Sequence, residues 1–162
     1  NMKKLIYTLL IIIALTNNSF SAGTASDSSD NSSNYTKAKN LIKAAKKYEK
    51  KGKIEKAQKK YAKAQTLLIK SNEKKPLQAD TLNYLGFTTR KLGDYEKGEK
   101  FYLLGLQVEP NHNGINEYLG ELYVATNRMD MAKERLEVLK TCNCEEYEEL
   151  KEIIDGTKKS KY

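Results

Sequence analysis

The stretch "LNYLGFTTRKLGDYEKGEKFYLLGLQVEPN", Leu82 to Asn111, decides the fold. It sets Gly86 inside an apolar helical pattern, where glycine costs about 1 kcal/mol relative to alanine. Close packing accounts for that choice: a neighbouring helix comes so near that no side chain fits. One helix pair cannot bury its own apolar face, so the stretch should have copies elsewhere in the chain. It does. Shifted forward by 34 residues, the pattern Leu82, Leu85-Gly86, Thr89, Gly98, Tyr102 becomes Asn116, Leu119-Gly120, Tyr123, Ala132, Leu136. Shifted back by 41, it becomes Leu41, Ala44-Ala45, Tyr48, Ala57, Tyr61.

Each unit carries two helical patterns split by a turn: "KKGK" at Lys50–Lys53, "KLGD" at Lys91–Asp94 and "TNRMD" at Thr126–Asp130. This arrangement resembles the tetratricopeptide repeat family, whose 34-residue helix–turn–helix unit reads W-x2-L-G-x2-Y, then A-x3-F, then P. The middle unit matches best, with L-G at 85–86, L-G-D-Y at 92–95 and E-P-N at 109–111. It departs at Thr89, where the family has Tyr, and at Gly98 and Gly105, where Ala is usual. The third unit lacks the closing Pro; the first lacks both Leu-Gly and Pro, and "TLLIKSNEKKP" lengthens its second helix or the exit from it by seven residues. The fold expected is all-α: a right-handed helical-repeat solenoid of three helix–turn–helix units over residues 36–142 (about 38–75, 79–112 and 113–142), plus a C-terminal capping helix. In such an array each repeat buries its apolar face on its neighbours, and Gly86 and Gly120 fall at helix crossings.

The composition agrees. Two prolines, no tryptophan and abundant Lys, Ala, Leu and Glu favour helix. Before the repeats, Lys3 and Lys4 precede the apolar run "LIYTLLIIIAL", Leu5 to Leu15, and then small and polar residues. That is the layout of a secretory signal peptide over residues 1–21, cleaved after Ser21, with Ala25 as second choice. The alternative is an uncleaved signal anchor, which the shortness of the run disfavours. The segment "SAGTASDSSDNSSN", Ser21 to Asn34, holds only small and polar residues; with nothing to bury, residues 22–35 are expected to form a disordered tether. These features and the Lys-, Asn- and Ile-rich composition suggest an exported, periplasmic bacterial protein.

After the third unit, Asn143 with Glu146 three residues on suggests a capped helix start, Tyr147, Leu150 and Ile154 repeat at helical spacing, and Gly156 ends the pattern. Residues 143–156 are thus expected to be a helix covering the last repeat, and 157–162 a frayed basic tail. Cys142 and Cys144 can form a disulfide in an oxidising compartment or remain thiols, with Cys142 buried.

The residues argue against an enzyme and against a bound metal or cofactor. His112, the only histidine, falls in the turn after Pro110, and the chain has no glycine-rich phosphate loop after a strand. Charge is divided along the chain: Lys37–Lys75 holds fifteen Lys against three Glu, and the remainder from Pro76 holds twelve basic and sixteen acidic residues. A basic first repeat is either a solvated face or a footprint for an anionic partner such as an acidic protein, lipid headgroups or a cell-wall polymer. Nucleic acid is disfavoured by the export signal and the shortage of Arg.

The resemblance implies a concave groove, lined by the first helix of each pair, that binds a peptide or protein segment. Matched to the repeat pattern, its candidate residues are Lys39, Ile42, Lys46 and Lys50, then Asn83, Phe87, Arg90 and Lys91, then Glu117, Glu121 and Val124. Phe87 is expected to face the groove as an aromatic anchor, with Arg90 beside it. Some relatives clamp a C-terminal carboxylate with Lys and Asn; here Ile42 and Tyr84 stand at two of those places, so that specificity is not carried over. The function expected is a scaffold or adaptor that captures a protein segment. The rival is a binder of anionic membrane or envelope polymer through the Lys-rich first repeat.

Overall fold

The structure, a computed structural model, describes residues 27–160. The signal-peptide assignment, the beginning of the tether and the last two residues of the tail lie outside them. Among the described residues there are seven helices and no strand: α1 (Asp27–Lys50), α2 (Ile54–Lys74), α3 (Ala79–Lys91), α4 (Tyr95–Val108), α5 (Asn113–Ala125), α6 (Met129–Leu139) and α7 (Glu145–Ile154). Each pair, α1–α2, α3–α4 and α5–α6, packs within itself, and α2–α3 and α4–α5 contacts join the pairs. Helix α3 also touches α1 and α5, and α7 lies on α5 and α6. The result is an all-α repeat solenoid whose inner row is α1, α3, α5 and α7.

The three turns within the pairs are one structure built three times. Gly52, Gly93 and Asn127 each take a positive φ, of 68°, 99° and 58°. In each turn the next residue's amide reaches back over five: Lys53 N to Tyr48 O at 2.9 Å, Asp94 N to Thr89 O at 3.1 Å, Arg128 N to Tyr123 O at 2.8 Å. This is the left-handed helix ending that glycine adopts without strain and asparagine tolerates. These three positions are 41 and 34 residues apart, the same shifts that align the sequence units.

The glycines mark close approaches. A Cβ on Gly86 would lie 2.5 Å from the Tyr102 ring of α4, and one on Gly120 2.5 Å from Leu150 of α7. The first approach lies within a helix pair. The second carries the capping helix, so the last repeat uses its small residue to receive α7. Around these crossings, Ala38, Ala45, Tyr61, Leu68, Leu82 and Phe87 form one buried cluster, and Tyr102, Ile115, Leu119, Leu122 and Ala132 another. Tyr118 packs against both. The seven extra residues of the first unit are taken up by α2, which continues to Lys74 and buries Leu68 and Ser71.

Three expectations are corrected. Helix α1 covers residues 27–35 of the supposed tether: Tyr35 meets Tyr84 edge-on at 6.0 Å, and Asn34 is buried beside Ala38, which gives this polar segment a docking point. Helix α7 starts from Cys144, whose side chain makes no cap bond, and Asn143 takes a positive φ of 47° in the turn. The buried stripe of α7 is Leu150 and Ile153, with Ile154 packed only in part. Finally, the described part of the tail, residues 157–160, is held against the fold by contacts of Thr157, Lys158 and Ser160. Cys142 and Cys144 are bridged, with Cα atoms 5.2 Å apart, between α6 and α7.

Candidate functional site

The repeat shifts place equivalent residues at successive levels of the inner row: Ile42, Asn83 and Glu117; Lys46, Phe87 and Glu121; Glu49, Arg90 and Val124. The middle level runs from cation through aromatic to carboxylate, so the inner row is polarised along its length. A cavity of about 660 Å3 opens on this face, lined by Lys46, Glu49, Lys50, Phe87, Lys91, Glu149 and Ser160. Its size suits a few side chains of a ligand.

At the first-repeat end the floor is aromatic, and the walls carry Lys46, Lys50 and Lys91 with Glu49 among them. Phe87 is 1% exposed and meets Tyr61 edge-on (5.8 Å between centroids) and Tyr118 at a tilt (5.1 Å). It is a core residue with one edge at the cavity, not a projecting anchor. Helix α3 is enclosed by α1, α2, α4 and α5, so the outward phase expected for Phe87 meets other helices. Lys46 Nζ stands 4.6 Å over the Phe87 ring and donates to Tyr118 Oη at 3.2 Å. Lys91 Nζ pairs with Glu49 at 2.7 Å, and the Tyr61 hydroxyl donates to the same carboxylate at 2.8 Å. Burial, then that hydrogen bond to Glu49, pushes the Tyr61 phenol well above its ordinary pKa. Arg90 is 2% exposed, and its guanidinium donates to the Tyr118 carbonyl; it braces α3 against α5 instead of rimming the groove. Lys50 is exposed at the cavity.

At the other end, carboxylate oxygens of Glu117, Glu121 and Glu149 lie within 4.8 Å of one another, beside a cleft of about 200 Å3 that also touches Tyr118, Glu145 and Glu146. Glu117 and Glu121 are 5% and 0% exposed. Burial of Tyr118 itself, and after it the charge of Glu117, raises this phenol well above its ordinary pKa. Among the described residues these three carboxylates are the group best placed to meet a cation, but a hard ion such as calcium takes about six to eight oxygens.

The remaining candidates are placed otherwise. Ile42 is 3% exposed and belongs to the core; its side chain fills the α1–α2–α3 cluster. Asn83 is buried where α5 begins, next to Gly114. Val124 packs in part against the second cluster. Lys39 is exposed over the Tyr35 ring at 5.3 Å. His112 caps α5, accepting from Ile115 N at 3.1 Å while its other nitrogen meets Asp80 at 3.1 Å. Sequence reading missed Glu49, Tyr118, Glu149 and Ser160. Glu49 and Tyr118 were within reach of it, since the 41- and 34-residue shifts make them the equivalents of Arg90 and Tyr84; Glu149 and Ser160 come from α7 and the segment after it, whose docking no local pattern specifies.

Two solved structures share this architecture. The first TPR of Spaghetti (RPAP3) bound to HSP90 peptide SRMEEVD is 21% identical, with a TM-score of 0.52 over 76% of this chain and 94% of that one. The first TPR domain of the human RPAP3 protein is also 21% identical, with a TM-score of 0.53 over 78% and 98%. The chain has the tetratricopeptide-repeat fold. No family model and no curated protein matches the sequence. In this tetratricopeptide-repeat fold the inner row of helices is closed at one end by α7, which lies on α5 and α6.

Proposed function

We propose that this protein is an interaction module that captures a peptide or protein segment in the concave groove, acting as an exported adaptor. The observation that carries the reading is the cavity itself, with an edge of Phe87 as apolar floor and Lys46, Lys50 and Lys91 around it. Repeat solenoids use such concave faces for binding, and the RPAP3 repeat is bound to a peptide carrying acidic residues. The cationic rim suits a segment with an acidic side chain beside an aliphatic one. Export is supported by the layout of the first residues and by the Cys142–Cys144 bridge, which belongs to oxidising compartments. No described helix is long and apolar enough to cross a membrane.

The test is selection from a random peptide library on the full chain. Enriched sequences should pair acidic with apolar residues, and Lys50→Glu should remove the enrichment while leaving helix content unchanged. Enrichment that ignores Lys50→Glu refutes the groove.

A second reading has its own observation. Lys56, Lys59 and Lys63 are exposed along α2, with Lys60 half-buried between them and Tyr48 beside the group. That stripe suits an anionic membrane or envelope polymer. Sedimentation with anionic vesicles that is lost when these lysines are changed to Gln, and that falls steeply with salt, would favour it.

A further inference from the structure

The groove has an occupant of its own. After α7, Gly156 takes a φ of 75°, and the amides of Thr157 and Lys158 both bond back to Glu152 O, at 3.0 and 3.1 Å. This reversal turns the chain away from the α7 axis. Lys158 Nζ then meets Glu149 at 3.2 Å and Glu152 at 3.5 Å. Two residues on, Ser160 Oγ donates to Glu121 Oε2 at 3.2 Å, across 39 residues of sequence. Glu121 is fully buried, and Ser160 stands at the main cavity with Lys50 and Phe87. A segment expected to fray is therefore laid from the capping helix into the mouth of the groove.

Charge explains the direction. Glu117, Glu121 and Glu149 crowd their carboxylates within 4.8 Å, and like charges so close in a poorly solvated place repel strongly unless a cation attends them. The segment Thr157–Tyr162 carries Lys158, Lys159 and Lys161. We propose that this basic tail is an intramolecular ligand of the acidic half of the groove, competing with the incoming segment for the cavity. It rests on the reading of the groove as the binding face. The acidic half is thereby a seat for lysine-bearing chain, and the protein holds itself partly closed until a partner displaces the tail. If the tail fills the seat about nine-tenths of the time, it lowers apparent affinity for a competitor about tenfold.

The experiment uses the full chain and a labelled synthetic peptide of residues 156–162, followed by fluorescence anisotropy. One chain is wild type; the other has Lys158→Gln, Ser160→Ala and Lys161→Gln, and so carries a weakened tail. The weakened-tail chain should bind the labelled peptide about tenfold more tightly than wild type, and salt should abolish the binding. Adding Glu149→Gln should return it towards the wild-type level. Equal binding by the two chains overturns the proposal, as does tight binding unaffected by Glu149→Gln.

Tryptic cleavage after Lys158 and Lys159, followed by mass spectrometry, reads the same contact without any variant. Relative to cleavage after exposed Lys140, it should be slow in low salt and speed up as salt is added; a constant ratio counts against the tail. Library selection that depends on Lys50 while the tail peptide binds both chains alike removes this inference and leaves the groove reading standing. Tail-peptide binding to the weakened-tail chain with no library enrichment removes the groove reading and the competition with it, and leaves only the tail's contact with the acidic residues.

Discussion

Replacing Gly86 tests the packing that the whole array depends on. An alanine Cβ at this site would stand 2.5, 2.6 and 2.8 Å from three ring carbons of Tyr102, against a comfortable carbon–carbon separation of about 3.5–4.0 Å. Tyr102 is fully buried, so its ring, or α4 with it, must retreat by about 1 Å to restore that spacing. Overpacking of this kind costs about 1–3 kcal/mol. Alanine regains about 1 kcal/mol of helix propensity, so Gly86→Ala should lose about 1 kcal/mol. Gly86→Leu has far more to place and should lose about 3 kcal/mol or more. Gly120→Ala is the comparison: its nearest contact is a Leu150 methyl at 2.5 Å, the end of a side chain that can rotate, and it should lose less. Urea unfolding followed by circular dichroism measures all three, provided the slope is unchanged. If Gly86→Ala gains stability, or Gly86→Leu is neutral, propensity rules the site and the close-packing account is wrong.

Phe87→Ala should act on stability first, costing about 3–5 kcal/mol as a large core truncation, so a urea midpoint near wild type would show that the ring is not locked between Tyr61 and Tyr118. Burial, with nearby carboxylate charge, raises the phenols of Tyr35, Tyr61 and Tyr118 above their ordinary 10.0. Because the unfolded chain loses these protons first, stability should be intact below pH about 10 and fall as pH rises beyond it; flat stability up to the strongly alkaline range would contradict the burial. In its host, mass spectrometry should find a mature chain starting at Ala22, or at Ser26 by the second cleavage choice, and recovery of the uncleaved chain from the cytosol would remove the export proposal.

The repeat register was legible in the sequence because its signals are local. Gly52, Gly93 and Asn127 must each supply a left-handed turn, and Gly86 and Gly120 must each leave room for a side chain; such requirements fall on single residues and recur at fixed spacing. The same register placed Lys46, Phe87 and Glu121 on one inner level. It did not say which of them would be reachable. Helix α3 buries ten of its residues, Thr88, Thr89 and Arg90 among them, because helices surround it, and a helix without a broad solvent face gives no amphipathic phase by which Phe87 could be assigned. Tertiary structure decided that Phe87 and Arg90 are bracing residues and that Lys46, Lys50 and Lys91 surround the cavity. It also decided the two ends of the described chain. Tyr35 finds Tyr84, and Ser160 finds Glu121, across separations at which polar composition carries no information: each segment is ordered by a surface that exists only once the repeats have stacked.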